Sequence, residues 1–369
     1  MIDSQLRDRL VDTIALLNIP GIGRGRFTRL VKRFGSASQA LAAPAKELQA
    51  VPGMSDKTAG AVKSDYDGDR ARQTAARIAQ LGWEILFPDA DGYPALLAEI
   101  HDRPPVLFRV GLTPSNDEKA IAVVGTRHAS EAGRRFAGRL AAGLVEAGLT
   151  VVSGMAEGID SAAHRGALEA GGRTWAVWGT PLDRVYPPSN IQLAEQIKVS
   201  GAVYSEYFPD TPTEPSNFPD RNRIISGLAE GVIVVEASLR SGALITAKYA
   251  IDQGRELFAV PGSPGNKRTL GTNQLIKSGA RLLTGVEDVL DEIPRLRGEI
   301  VAVKLKQKPD LTEVECRIVD ALAPGELQID GLCRSMNMPV SELMEYLLGL
   351  ELKGVVEELP GKRFVLADR

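Results

Sequence analysis

Residues Ile121 to Ser130 (IAVVGTRHAS) set a run of small apolar side chains directly before a turn of Gly125, Thr126 and Arg127. A turn of that composition suits an anion: the glycine lets backbone N–H groups approach, and the hydroxyl and guanidinium add donors. The dinucleotide-binding fingerprint would need two further glycines at set spacing, and they are absent. Four other stretches repeat the chemistry. Ser153-Gly154-Met155-Ala156-Glu157-Gly158 turns into a helical pattern at Ile159-Asp160, and Phe218 to Gly227 (FPDRNRIISG) offers Arg221, Asn222 and Arg223. RSGALITA brings Ser241, Gly242 and Thr246, while Pro261-Gly262 precedes Lys267, Arg268 and Gly271-Thr272-Asn273. With Ser130, these hydroxyls, N–H groups and guanidiniums suit several phosphates better than one. An arginine near a helix N-terminus opposes the macrodipole unless an anion lies between them, so Arg221-Asn222-Arg223 is the strongest local signal. Phe218 and Tyr186 are candidates for stacking an exposed base, with burial in the core as the alternative for each.

Catalytic chemistry is harder to find. Asp160 and His164 are four apart and share a helix face, which suits a carboxylate-oriented base. No nucleophile or metal-ligand set accompanies them, so a helix-capping Asp and a histidine bonded into the fold are the favoured reading. Asp183, in GTPLDRVYPP, reads as a turn residue, and Glu206 and Glu236 end strands where they could orient basic side chains. The cysteines Cys316 and Cys333 lack metal-ligand spacing and the three histidines are scattered, so neither a zinc site nor a disulfide framework is expected.

The elements that must carry these residues read as an alternating pattern. AIAVVG, TVVSG, TWAVWG, AVYSE, VIVVE and LFAVPG are short apolar runs separated by amphipathic stretches such as Glu131 to Ala147 and Ala243 to Gln253. Strands of that kind form a mostly parallel sheet covered on both faces, whose ligands bind at the strand carboxyl ends. Trp175 and Trp178, on the third run, read as packing residues. The fold class is therefore α/β, a Rossmann-like doubly wound sheet over 83–292. Before it, residues 1–82 are helical and contain two similar phrases, IPGIGRGRFTRL and VPGMSDKTAGAV, with the helix-hairpin-helix pattern. Arg24, Arg26 and Arg29 in the first phrase suit DNA contact; the second has Ser55 for its second glycine and adds Asp56, and a packing module is the equal alternative. A basic, Pro-containing linker is expected over 293–310 and a winged helix over 311–369, made of three helices and a hairpin turning at Pro360-Gly361. Its third helix carries Glu342, Glu345 and Glu351 against Lys353 alone, so contact with protein, or structural support, suits it better than DNA reading.

With 369 residues, more than one core is expected. The formal charge of −3 argues against wholesale wrapping of duplex DNA and leaves room for a local basic groove. No apolar run approaches membrane-spanning length and MIDSQLRDRL has no cleavable apolar core, so a cytoplasmic protein is expected.

Five linked motifs, SGMAEGIDSAAH, GTPLDRVYPPSN, FPDRNRIISGL, VVEASLRSGALITAKYA and FAVPG with GTNQLIKSGA, resemble the DNA-processing protein A family (DprA, also called Smf) in order from Tyr93 to Val289. The flanking helical and winged-helix segments resemble that family's accessory modules. The resemblance implies an extended Rossmann fold, without hydrolytic activity or cofactor, that binds single-stranded DNA, forms a homodimer and loads the recombinase RecA in natural transformation. It implies phosphate contacts at Gly125, Thr126, Arg127, Ser153, Gly154, Arg221, Asn222, Arg223, Ser241, Gly242 and Thr246. Many members of that family carry a basic residue where this chain has Glu157. GTNQLIKSGARLLTG reads as a short helix and a terminal edge strand, and with the resemblance it suggests a dimer interface at Leu275, Ile276, Leu282 and Leu283. A rival is a nucleotide-hydrolysing Rossmann protein similar to phosphoribohydrolases, whose PGG-x-GT-x-x-E glutamate has no counterpart in Ser241 to Thr246. A winged-helix transcription factor is the third reading, weakened by the acidic third helix.

Overall fold

The order in which the strands pair decides where a ligand can bind. The structure, a computed structural model, describes residues 3–112, 119–296, 312–323, 325–352, 355–359 and 361–366, and the chain divides into two compact units, 1–299 and 300–369. In the first unit nine strands form one sheet: β1 (Glu84–Leu86), β2 (Leu107–Gly111), β3 (Ala120–Val124), β4 (Thr150–Ser153), β5 (Thr174–Val177), β6 (Ala202–Ser205), β7 (Gly231–Val234), β8 (Glu256–Ala259) and β9 (Arg281–Leu282). Their order is β1-β2-β6-β5-β4-β3-β7-β8-β9. The six apolar runs of the sequence are β3 to β8, all parallel, and β9 extends them as the short edge strand. Antiparallel β1 and β2 escape the apolar pattern: β1 has three residues, and Arg109 interrupts β2, where its Nε donates to Glu84 Oε2 at 2.8 Å.

The chain leaves β3 towards β4, β5 and β6, then crosses back to β7, β8 and β9. The carboxyl ends of β3 and β7 therefore flank the point where the winding reverses, which opens a crevice between diverging loops. β3 is buried throughout because both faces are covered. Ala120, Ala122 and Val124 pack with Ile224, Ile225 and Ala247, while Ile121 and Val123 pack with Leu140, Leu144 and Ala163. Trp175 and Trp178 are buried, as their place in the third run predicted.

The helical N-terminal segment has an apolar core of its own, with Leu16, Ile19, Phe27, Leu30, Leu48 and Val62. Its outer helices Ser4–Leu17 and Gly68–Gln80 instead place Leu10, Ile14, Ala71 and Ile78 in one cluster with Trp83, Phe108, Trp178 and Ile197. That cluster crosses the boundary drawn at residue 82. Likewise, Ile293 and Leu296, read as the start of a linker, are buried with the central core; linker residues 297–310 lie outside the described residues. Two of the three arginines of the first hairpin phrase act internally, while Arg29 is exposed. Arg26 donates to the carbonyls of Gly53 (2.6 Å) and Gly21 (2.5 Å), tying the two phrases together, and Arg24 pairs with Asp220 at 3.2 Å and Asp102 at 3.6 Å. These contacts favour the packing alternative.

The second unit contains helices Glu313–Leu322, Ile329–Met336 and Val340–Leu352 with β10 (Leu327–Gln328), β11 (Val356–Leu359) and β12 (Arg363–Leu366), ordered β10-β12-β11. This is the expected winged helix, with Leu327 and Gln328 added as a third strand that pairs with β12. Leu343, Leu347 and Leu350 of the third helix are buried, leaving Glu342, Glu345 and Glu351 in solvent. Lys353 and Pro360 lie outside the described residues. Among the described residues no helix is long and apolar enough to cross a membrane.

The helices Glu131–Glu146 and Ile159–Glu169 touch at their backbones, since a Cβ on Gly166 would overlap the carbonyl oxygen of Gly138. Gly166→Ala should therefore cost about 1–3 kcal/mol through overpacking. The check is urea unfolding, with a lower midpoint at unchanged slope expected; a wild-type midpoint would show that the helices reseat freely.

Candidate nucleic-acid interface

At the β3–β7 crevice lies a cleft of 420 Å3. The loop after β3 contributes Gly125, Thr126, Arg127 and His128, and the loop after β4 contributes Ala156 and Asp160. Helix Asn217–Gly227 presents Phe218, Arg221 and Asn222, and the segment after β7 presents Ser238, Arg240, Ser241, Gly242 and Thr246. A narrower slot of 130 Å3 is lined by Arg127, Gly154, Ala156, Glu157, Tyr186, Pro187, Phe218 and Arg221, sharing four residues with the larger cleft. Four of the five sequence stretches thus converge; the fifth, Pro261-Gly262 with Lys267, Arg268 and Gly271 to Asn273, lines neither cavity, and Lys267 is exposed on the loop after β8.

The loops are stitched together before any ligand arrives. Gly158 has φ +84°, and a side chain there would overlap the Thr126 carbonyl, so the β4 loop lies directly on the β3 loop. Asp160 Oδ2 accepts the N–H groups of Gly154 (3.2 Å) and Ala156 (3.4 Å). Burial pushes the Asp160 carboxyl up to about 6, against the pull of the Arg221 guanidinium and of the backbone donors. Glu236 closes the second loop: Ser130 N–H donates to its Oε2 at 2.9 Å and Ser130 Oγ to its Oε1, while Ser130 Oγ caps the following helix by accepting from Gly133 N–H. Two sets of donors assigned to a ligand are thus already held by protein carboxylates.

Arg221 is buried, with Nη1 donating to the Gly154 carbonyl at 2.6 Å and also to that of Val177. Its Nε donates to Asn222 Oδ1 at 3.2 Å, and Asn222 Nδ2 donates to the Gly242 carbonyl at 3.4 Å. Burial lowers the Arg221 pKa to about 10, which leaves it cationic at neutral pH. Arg127 and Arg240 are exposed on the cleft, and among the described residues neither forms an ion pair. The helix Ala243–Asp252 opens on the same space with no side-chain cap, so its positive end adds to their field. Arg240 and His128 were missed in the sequence; for Arg240 the available signal was its place directly before Ser241. The aromatics are lining rather than core: Tyr186 is 43% exposed, and its ring centroid stands 5.1 Å from that of Phe218, over which Arg127 sits at 5.4 Å.

Three assignments need correction. Arg223 is fully buried: Nη1 and Nη2 donate to the two carboxylate oxygens of Glu206 at 2.6 and 2.7 Å, and Nε donates to the Asp102 carbonyl at 2.9 Å. With its donors spent inside, it has none for a phosphate. Ser153 is also buried, donating to the Val123 carbonyl at 2.6 Å. Leu283 is in the core, whereas Leu282 is exposed and Leu275 and Ile276 are partly so, as alternation along an edge strand requires.

Asp160 and His164 do not form a dyad. His164 is fully buried, and burial, with Arg221 and Arg165 nearby, pushes its pKa down to about 3. Thr174 Oγ1 donates to the Val151 carbonyl, so at 2.7 Å it must accept from His164, which puts the proton of the neutral ring on Nδ1. Among the described residues no cluster of three or more His, Cys, Asp or Glu is placed for a metal.

Comparison with known proteins follows the same division. The sequence profile of DNA recombination-mediator protein A matches residues 84–294, that of the DprA winged helix domain 304–362, and that of a SAM-like helix-hairpin-helix tandem 13–65. Protein Smf of Synechocystis sp. is 33% identical, covering 95% of this chain and 97% of its own length. The solved DNA processing protein A of Streptococcus pneumoniae is similar at a TM-score of 0.67 and 34% identity, over 79% of this chain and 98% of that one. DNA processing protein A of Helicobacter pylori, whose structure was described for its single-stranded DNA binding mode, matches at a TM-score of 0.52 and 28% identity, over 58% of this chain and 96% of that one.

Arg223→Ala would strand Glu206 in a site where its side chain is only 12% exposed. Removing one partner of such a pair costs about 3–5 kcal/mol. Urea unfolding should show that loss, and a variant of native stability would mean that Glu206 is solvated without its arginine.

Proposed function

Because this chain belongs to the DNA processing protein A (DprA/Smf) family, we propose that it is a single-stranded DNA-binding recombination mediator acting in natural transformation. The observation that carries this reading is the cleft between β3 and β7, where Arg127 and Arg240, which form no ion pair among the described residues, stand near half-buried Phe218 and its ring partner, the exposed Tyr186 of the adjoining slot. Cations along a groove with an aromatic platform suit a strand whose bases are free to stack. A narrow rim between loops has no element shaped for a major groove, so duplex should bind less well. The phosphate-contact set that this reading uses is Gly125, Thr126, Arg127, Arg221, Asn222, Ser241, Gly242 and Thr246, with Arg240 added and Gly154 left out because Asp160 takes its N–H. It needs no cofactor. Handing the bound strand to RecA follows from the family and locates the activity in the cytoplasm; binding, rather than hydrolysis, is the chemistry these residues support.

The direct test compares equal-length single-stranded and duplex oligonucleotides, with RecA filament assembly as a second readout. Arg127→Ala should keep its fold, since the side chain is exposed. It should weaken strand binding and reduce the salt slope by roughly one phosphate contact. Equal affinity for the two DNA forms, or an unchanged slope, would count against the cleft.

A homodimer through the edge beside β9 completes the reading, since an uncovered edge strand is a liability that a symmetric partner removes. Leu282 is 51% exposed there, with Leu275 and Ile276 adjacent. Leu282→Glu should yield a folded monomer by light scattering, with weaker strand binding because two clefts no longer act together. A dimer that survives the change would put the interface elsewhere.

A further inference from the structure

The narrow slot beside the phosphate cleft carries an exposed carboxylate, Glu157, whereas the cleft's own Asp160 is buried and turned to the N–H groups of Gly154 and Ala156. Glu157 lines the slot together with Tyr186 and Phe218, and Glu157 Oε1 accepts from Ser189 Oγ at 2.9 Å. That bond orients the carboxylate, and Oε2 has no hydrogen-bond partner among the described residues. Ser189 sits in the 3-10 turn Pro188–Asn190, whose last residue is itself fixed: buried Asn190 donates to the Met155 carbonyl at 2.8 Å and to Ser161 Oγ at 2.9 Å. The acid is therefore bonded to the turn that follows Tyr186 and Pro187.

A strand entering this site meets two fields. Arg127 and Arg221 border both spaces and Arg240 the wide cleft alone, so phosphate is attracted most strongly along the cleft, whereas Glu157 offsets the positive charge at the slot. The backbone is thus directed along the cleft and a base into the slot, where the exposed Tyr186 ring offers a stacking face. Inside, the base presents its hydrogen-bonding edge to a carboxylate, which only accepts. Guanine alone sets two donors side by side on that edge, N1–H and the 2-amino group. Cytosine and adenine each set one amino group beside an acceptor nitrogen, and thymine sets its single N3–H between two carbonyls.

We propose that Glu157 makes the slot a guanine-selecting subsite of the strand-binding cleft, by accepting N1–H and the 2-amino group together. This rests on the single-stranded DNA reading above and deepens it. A bidentate base contact discriminates by roughly tenfold or more.

The test is fluorescence anisotropy with short homothymidine strands carrying one central guanine, inosine, cytosine or adenine, or none. The wild-type protein should bind the guanine strand on the order of tenfold more tightly than the all-thymidine strand. Inosine, which keeps N1–H and lacks the 2-amino group, should fall between them. Glu157→Ala should abolish the ranking while binding all-thymidine at least as tightly as before, because a repulsive charge has gone; Glu157→Gln should weaken the ranking without changing the fold. Wild-type protein that binds every strand tightly and equally would overturn the subsite and leave the strand-binding reading standing, as would a guanine preference that persists in Glu157→Ala. Failure to bind any strand would overturn the reading beneath it.

Discussion

Two buried carboxylates hold the binding rim in shape, and the rest of the site depends on them. Where the chain turns out of β4 and after β3, backbone N–H groups point into a space closed to bulk water. Each would cost about 1–3 kcal/mol if left without an acceptor. Asp160 takes those of Gly154 and Ala156, and Glu236 takes that of Ser130. A protein that left these donors for phosphate would be destabilised whenever DNA was absent. Here the loops are finished without ligand, and the strand meets a surface already formed, so binding need not include the entropy of ordering them.

The same arrangement decides which positive charges remain for DNA. Arg221 and Arg223 are two apart on one helix and so diverge. The first reaches under the β4 loop, beside Asp160 and at the floor of the cleft; the second turns to Glu206 and Asp102. Buried cations need buried partners, and those two are consumed largely by that need. What projects into the cleft is Arg127 and Arg240, each on a loop rather than a helix face. An attractive field thus rests on residues whose loss leaves the core untouched.

The parallel sheet was legible because β3 to β8 are buried on both faces and write themselves as unbroken apolar runs. β2 was not, since Arg109 stands in its middle and pairs with Glu84 on the neighbouring strand, a contact made across 25 residues. The rim was legible for a related reason: glycine, hydroxyl and arginine clusters directly followed the runs. Their internal sorting was not. Whether an arginine faces solvent or a carboxylate depends on Glu206 and Asp102, neither of which is marked as its partner in the chain. Alternation did carry the information that Leu282 and Leu283 have opposite environments, since neighbouring residues on a strand point to opposite sides.

The helix-hairpin-helix segment shows how a binding pattern can be put to a structural use. Its Arg24 reaches Asp102 and Asp220, and Asp102 also faces Arg223 Nε at 3.3 Å. As a partly exposed pair, Arg24 with Asp220 is worth about 0–1 kcal/mol by itself. Its geometric effect is larger than its energy, because Asp220 begins the turn that delivers Arg221 and Asn222 to the cleft. With Arg26 occupied by the carbonyls of Gly21 and Gly53, the arginines closest to the hairpin glycines hold the segment to itself and to helix Asn217–Gly227. A shared apolar cluster then fixes the outer helices to Phe108 and Trp178 on the sheet side. The N-terminal helices accordingly brace the helix that carries Arg221, through Arg24 on one side and the apolar cluster on the other.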